Sequence, residues 1–587
     1  MGYPLVKTME ILDYDIVILG SGIAGLTAAI HASNATDKKA KIAIVTKLHA
    51  MRSHSVAAEG GISGVLYPEV TNDSLDLHAY DTIKGSDYLA DQDAVELLVK
   101  NAPKEVEFFD HIGVSWNRNE KAQIEQRAFG GMSIPRTAFA ADKTGFFMMR
   151  ALYDEVVNLE NVSIFHENFA YSLLLDENHF VGLSVMDLAT GSLRIFHAKA
   201  GIIATGGASR MYDFTTTSHS STGDGQALVY KAGLPLKDME FVQFHPTALV
   251  PNGILITEAA RGEGGYLTNS KGERFMALYA KKQMELAPRD IVSRAIITEI
   301  RAGRGLREEL SGLEYIHLDL RHLGKNVIDE KLPMIREIAQ KSLNIDPVEE
   351  PLPVRPAAHF TMGGIHTDLY GRVMADEDKT IVDGLWAIGE CGCVSVHGSN
   401  RLGSNSLSQC AVWGRIAGNE IADYLKKTAD APKLRKEIVN AESLKISAIL
   451  DKKGSVNPYF IKSELQKTMG EFVYVYRTKN DLFNAKRRIS ELKKMFNDIY
   501  LADKGKLFNT NLRDVLEIDN LLDLAEAVTL CALNRNESRG AHAIAEYPNR
   551  DDTNWLKHSI VYKTKEGVGI GYKPVTITRW KPQPRIY

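Results

Sequence analysis

Residues 15–46 constrain this chain more than any other stretch. DIVILG, from Asp15 to Gly20, is a short apolar run of the buried-strand type. It leads straight into GSGIAG, with glycines at Gly20, Gly22 and Gly25. LTAAIHA follows, rich in helix formers, and KIAIVT from Lys41 to Thr46 reads as a second strand. A strand, glycine turn, helix and strand in that order present the amides of a helix N-terminus to a pyrophosphate. The glycines serve a tight turn, a close backbone approach and helix–strand packing. The expected fold class is therefore α/β, with a Rossmann-like unit that binds a dinucleotide. The acidic residue that usually ends the second strand is missing, because Thr46 and Lys47 stand there. A simple NAD site is weakened accordingly, since the ribose contact is not of the usual kind.

Beyond that unit, composition mostly excludes. At 587 residues the chain is too long for one hydrophobic core, and length alone suggests about three or four domains. A formal net charge of -4 gives no excess for a polyanion, so no nucleic-acid partner is expected. Cys391, Cys393, Cys410 and Cys531 are too scattered for a disulfide framework and lack the clustered spacing of iron–sulfur ligands. If electrons leave singly, another subunit must carry the clusters. The apolar stretch from Asp15 to Ala32 is broken by its glycines and is no bilayer span. The opening MGYPLVKTMEILDYD shows no secretory leader. The expected location is cytoplasmic, with any membrane attachment made through other subunits.

In chain order, MRSHSVAAEGG (51–61) comes first, a few residues beyond the second strand. There His54 could touch a bound cofactor, and Gly60 and Gly61 let the backbone approach something flat. Residues 91–111 read as a helix with apolar Val95, Leu98, Val99, Val106 and Phe109, and another helix starts near Lys143. Strands follow, the last closing on Gly206 and Gly207. STGDGQALVYKAG then makes a second glycine-rich turn before a helix, with Asp224 free for a hydroxyl or a phosphate-bound water. Residues 239–356 change texture and read as an inserted α+β domain. The cofactor domain (1–238) resumes over 357–425, where Trp386–Ile388 is a strand closed by Gly389 and Glu390, and Cys391 and Cys393 are simple buried residues. A helical domain spans 426–543. In it Leu482, Ala485, Ile489, Leu492, Phe496 and Ile499 form one apolar helix face, with Arg487, Arg488, Lys493 and Lys494 on or near its solvated sides. A partner helix covers Asp514–Arg535, and a small strand-containing appendage fills 544–587.

A set of segments runs in order through the whole chain: MRSHSVAAEGG, RAFGGMSIPRTAFAADKTGF, ATGG, FVQFHPT, TEAARGEGG, MELAPRDIVSRAI, PVRPAAHFTMGGI, HGSNRLGSNSL, ESRGAH and RDD. This set resembles the flavoprotein subunits of succinate dehydrogenase and fumarate reductase, the complex II family. The resemblance implies an FAD-binding domain interrupted by a capping domain, then a helical domain. It implies FAD held by Gly20, Ser21, Gly22, Ala24, Gly25, Thr46, Lys47, Ser53, Gly60, Gly61, Gly206, Asp224, Glu390, Ser406 and Leu407. His54 would carry the flavin covalently, raising its potential for exchange with a weak reductant such as succinate. Partners implied are an iron–sulfur subunit and membrane anchor subunits, which place the protein peripherally on the inner face of the cell membrane.

Succinate and fumarate carry two carboxylates, so their site needs cationic or donor groups on opposite sides. His245, Thr257, His359 and Arg401, all expected in loops facing one cleft, are the candidates, since arginine's fork suits a carboxylate and imidazole can donate to one. Phe129 resembles the aromatic that packs on substrate and flavin. Hydride moves between a substrate carbon and flavin N5, while the neighbouring carbon gains or loses a proton. General chemistry would name a histidine or carboxylate for the proton. The family instead assigns it to the arginine of the PRD segment, here Arg289, with a relay through Glu258 and Arg261. Two rivals are an L-aspartate oxidase, which lacks the flavin-linking histidine found here in RSHS, and a non-catalytic dinucleotide-binding assembly protein keeping a relic site. Glu59, where many succinate dehydrogenases have Gln, leans the reading toward fumarate reduction.

Overall fold

The structure, a computed structural model, describes residues 9–565 and 567–586, so the opening MGYPLVKT lies outside the described residues. Its centre is an eight-stranded sheet built on Glu10–Leu19. That strand pairs in parallel with Ile42–Val45 on one side and Leu193–Ile203 on the other, and Val162–Phe165 extends the first side. Ile381–Ala387 then joins Leu193–Ile203 in parallel, bringing a late part of the chain back beside the early strands. Ile16, Val17 and Ile18 are each 0% exposed, as a parallel strand covered on both faces requires. The helix Ile23–Ala35 packs on Asn405–Leu425. This crossing depends on missing side chains, because a Cβ at Gly418 would lie 2.8 Å from the Ala28 carbonyl oxygen.

A separate antiparallel sheet forms around Val242–Leu249, Glu314–Asp319 and Leu352–Thr361, the last strand running through the expected boundary at 356/357. The helical region contributes Lys436–Leu450, Pro458–Phe472, Lys479–Phe496 and Thr510–Asn534. Leu482, Ala485, Ile489 and Leu492 are buried as the periodicity predicts, but the helix stops at Phe496. Ile499 is buried through a bridge with Val456 instead. Lys493, expected toward solvent, bonds Asp523 at 2.9 Å and Glu526 at 2.6 Å on the partner helix. Its long stem crosses the gap between the helices and brings the ammonium to those carboxylates.

The closing segment is woven into the cofactor half. Lys557–Thr564 and Gly567–Pro574 form a hairpin whose first strand pairs with Leu236–Lys237. His558 on that strand is fully buried between Asp238 (2.7 Å) and Asp91 (3.2 Å). Burial pulls its pKa down, but the two carboxylates outweigh that and raise it to about 9.

Candidate active site

The carboxyl ends of four of the five parallel strands open onto one cleft, where an α/β sheet of this kind takes its ligand. Its non-protein space, open mouth included, is about 1620 Å³. Gly20, Ser21, Gly22, Ala24, Thr46 and Lys47 line one arm, and Ser53, His54, Gly60 and Gly61 continue it. Gly206, Asp224, Glu390, Ser406 and Leu407 line the cleft as well.

The residues present fit an FAD. Gly22 caps the helix Ile23–Ala35 with no side-chain hydrogen bond, and no acidic residue sits in its first turn, which leaves that end suited to phosphate. Gly20 has φ +111°, and a Cβ there would lie 2.2 Å from the Ala204 carbonyl oxygen. At Gly206 (φ +75°) a Cβ would meet nothing within 4 Å, so the backbone lies bare to the cleft. A second helix, Asn405–Leu425, also starts here without a side-chain cap, carrying Ser406 and Leu407 in its first turn. Glu390 accepts the Thr361 amide at 2.9 Å, and burial lifts its carboxyl to about 7.

Three expected cofactor residues behave differently from the reading. Gly25 does not line the cleft; a Cβ there would sit 2.1 Å from the Gly20 carbonyl oxygen, so it serves the turn's packing. Lys47 and Asp224 line the cleft but bond each other at 2.6 Å. The same ammonium takes Glu517 at 2.8 Å, and Asp224 also accepts from Thr222 and Asn520. Charges this deep need partners, and these are satisfied within the protein.

His54 opens the short helix His54–Ala57 and accepts the Ser218 amide on Nδ1 at 3.3 Å, leaving Nε2 for another partner. Burial, then Arg210, push its pKa to about 4, so the ring is neutral at pH 7.

At the other end of the cleft stand His245, Thr257, Glu258, Arg289, His359 and Arg401, with Phe129 beside them. Arg289 begins the helix Arg289–Glu299 and donates Nε to Glu258 Oε2 at 2.8 Å and a terminal nitrogen to Gln243 Oε1 at 3.1 Å. The other oxygen of Glu258 accepts the Gly130 amide at 2.6 Å. Arg261 is buried behind the cleft wall, 3.7 Å from Glu258 and bonded to the Glu285 carbonyl. That position suits a relay rather than a substrate contact.

The two histidines lie on adjacent strands, Val242–Leu249 and Leu352–Thr361, not in loops. Gln243 pairs with Phe360 and Phe244 with Ala358, so His359 is the extra residue of a β-bulge. The bulge re-aims its side chain, and the two rings lie 5.0 Å apart. Thr216 bonds His359 Nδ1 at 2.7 Å, and the Thr247 amide donates to His245 Nδ1 at 3.3 Å.

Burial, then Arg289, hold both imidazoles well below their usual pKa. Burial and Arg289 likewise depress Arg401, whose guanidinium stacks over Phe360 at 4.5 Å and bonds Ser406 at 3.2 Å, with Nε unpartnered. Burial pushes the Glu258 carboxyl up, but Arg289 and Arg261 outweigh it and keep the pKa below normal. The result is a buried, cation-rich chamber with unsatisfied donors, suited to an anionic ligand.

Several contacts were not foreseen. Gln243 and Gly130 sit inside quoted segments, yet nothing in their residue type announces a bond to Arg289 or Glu258. Thr216 and Ser218 belong to TTTSHSS, a stretch with no distinguishing pattern.

The FAD binding domain family matches residues 15–407, and the fumarate reductase flavoprotein C-term family matches residues 462–587. A fumarate reductase flavoprotein subunit of Mycobacterium tuberculosis is 43% identical, covering 98% of this chain and 99% of its own. A succinate dehydrogenase flavoprotein subunit of Rickettsia conorii is 42% identical, covering 96% of each chain. Among solved structures, an E. coli quinol fumarate reductase FrdA variant superposes with a TM-score of 0.93 at 38% identity, over 99% of each chain. With that similarity running end to end, the chain belongs to the family of fumarate reductase and succinate dehydrogenase flavoprotein subunits, FAD-dependent oxidoreductases.

Proposed function

We propose that this subunit interconverts succinate and fumarate. The observation that carries the reading is the Arg289–Glu258 pair, set with Arg401 and two neutral histidines at the end of a dinucleotide cleft. Arg401 takes one carboxylate of the diacid by its planar fork, while His245, His359 and Thr257 donate to the other. Bound FAD supplies the hydride acceptor or donor. Arg289 gives or takes the proton at the neighbouring carbon, and Glu258 and Arg261 restore its charge. Phe129 excludes water on the side where its ring lies against Gly60 and Gly403. A neutral His54 with Nδ1 already occupied supports a covalent link to the flavin through Nε2.

The electrons pass to an iron–sulfur subunit and a quinone pool, with membrane anchors placing the complex peripherally on the inner face of the membrane. Support comes from relatives named quinol-fumarate reductase. Among the described residues no helix is long and apolar enough to cross a membrane. Glu59, buried in the cleft wall where many succinate dehydrogenases have Gln, supports the reductive direction. The domain boundaries follow as 1–238 with 357–425, 239–356, 426–543 and 544–587.

The test is Arg289→Lys in the FAD-loaded protein. FAD and dicarboxylate binding should persist while turnover falls by about three orders of magnitude. Near-normal rates of succinate oxidation and fumarate reduction would refute the assignment.

A further inference from the structure

We propose that the loop from Phe129 to Ser133 is the positioning element of the proton relay, with its two glycine amides aligning Glu258 on Arg289. The inference rests on the succinate–fumarate reading. The Gly130 amide donates to Glu258 Oε1 at 2.6 Å while Glu258 Oε2 holds Arg289 Nε at 2.8 Å. One carboxylate spans the loop and the arginine, so the loop fixes its plane. The next amide, Gly131, donates at 3.1 Å to the Leu286 carbonyl, just upstream of the helix that Arg289 begins. Both members of the pair are thus seated by neighbouring peptide groups of one loop.

Space enforces this arrangement. A Cβ on Gly130 would lie 2.4 Å from Glu258 Oε1 and 3.0 Å from the Ala287 carbonyl oxygen. Gly131 has φ +84°, a conformation side chains disfavour. On its far side the loop is moored, since Ser133 donates its amide (2.8 Å) and hydroxyl (2.6 Å) to Asp81. Asp81 in turn holds the fully buried Arg136, which also grips Asp73. Such a supported loop is what placement of a reacting group requires. Along the sequence the relay residues fall between the strands Val242–Leu249 and Leu352–Thr361, and the loop belongs to the cofactor-binding half. Alignment of the relay is therefore tied to the seating of one region on the other.

The experiment is a double-mutant cycle on the FAD-loaded enzyme, with wild-type turnover of both diacids as the reference. Gly130→Ala should lower kcat about tenfold or more, with KM within about twofold and covalent flavin per chain unchanged. In a Glu258→Asp background, where the shortened carboxylate no longer meets the new methyl, the same change should cost less than about twofold. Ser133→Ala adds no bulk and loosens the mooring, so kcat should fall about two- to fivefold at constant KM; it decides the matter if Gly130→Ala fails to accumulate. Wild-type kcat in Gly130→Ala or in Ser133→Ala overturns the inference, as does an equal loss in both Glu258 backgrounds. A wild-type protein with neither activity overturns the functional reading itself.

Discussion

At the Gly20–Ala24 end of the cleft the binding groups belong to the backbone, whereas at the Arg289–Arg401 end they are side chains. The first end offers a helix N-terminus with glycine as its cap residue and bare glycine turns, and the charges near it, Lys47 and Asp224, are satisfied internally. The second end keeps cations in burial with donors unspent, as the Nε of Arg401 shows. Backbone recognition suits a cofactor that stays, because it is built into the fold and needs no rearrangement. Side-chain recognition suits a substrate that leaves, since its charge completes the site only while it is bound. The difference predicts that damage at one end separates from damage at the other.

The largest effect is expected from Arg401→Ala. Removing one side of a buried charged contact costs about 3–5 kcal/mol, or roughly two to four orders of magnitude in kcat/KM. FAD content, read from absorbance, should stay normal; loss of the flavin together with activity would break the comparison. Gly20→Ala should do the reverse. The residue would have to hold φ +111° with its Cβ 2.2 Å from the Ala204 oxygen. Strain of about 1–3 kcal/mol or more should appear as lost FAD retention and a lower Tm. His54→Ala comes next, and sharpens the backbone side: FAD should still bind but should separate from the polypeptide on denaturation, which mass analysis of the peptide carrying residue 54 would check.

The smallest effect is a slope. His558 has its folded pKa raised to about 9, above the unfolded value of about 6.5. The stability it contributes is complete below the unfolded value and is lost as pH rises through about 9. Denaturant unfolding should show stability falling by a few kcal/mol across that window, and His558→Gln should flatten the fall. An unchanged slope in the variant would show that the clamp on Asp91 and Asp238 carries no charge.

Legibility in the sequence follows the same division. The backbone end could be read from spacing, because Gly20, Gly22 and Gly25 between two apolar runs leave few physical alternatives. The type of each residue at the substrate end was visible as well, through segments such as PRD and HFTMGG. What could not be read was how distant segments meet. His359 reaches the site through a bulge, which no local pattern encodes. The bond of Lys47 to Glu517 could not be read because its partner lies in another region of the chain. Nor could the bond of Gly130 to Glu258 be read, since it depends on a carboxylate brought to it by folding.

The hairpin that pairs Lys557–Thr564 with Leu236–Lys237 carries a consequence for biosynthesis. The short strand at 236–237 must wait, edge unpaired, until more than half of the polypeptide has been made and released beyond it. Long sequence separation of this kind slows assembly and leaves exposed strand edges open to wrong partners. Truncation near the hairpin would therefore injure the nucleotide-binding half, far away in sequence and adjacent in space.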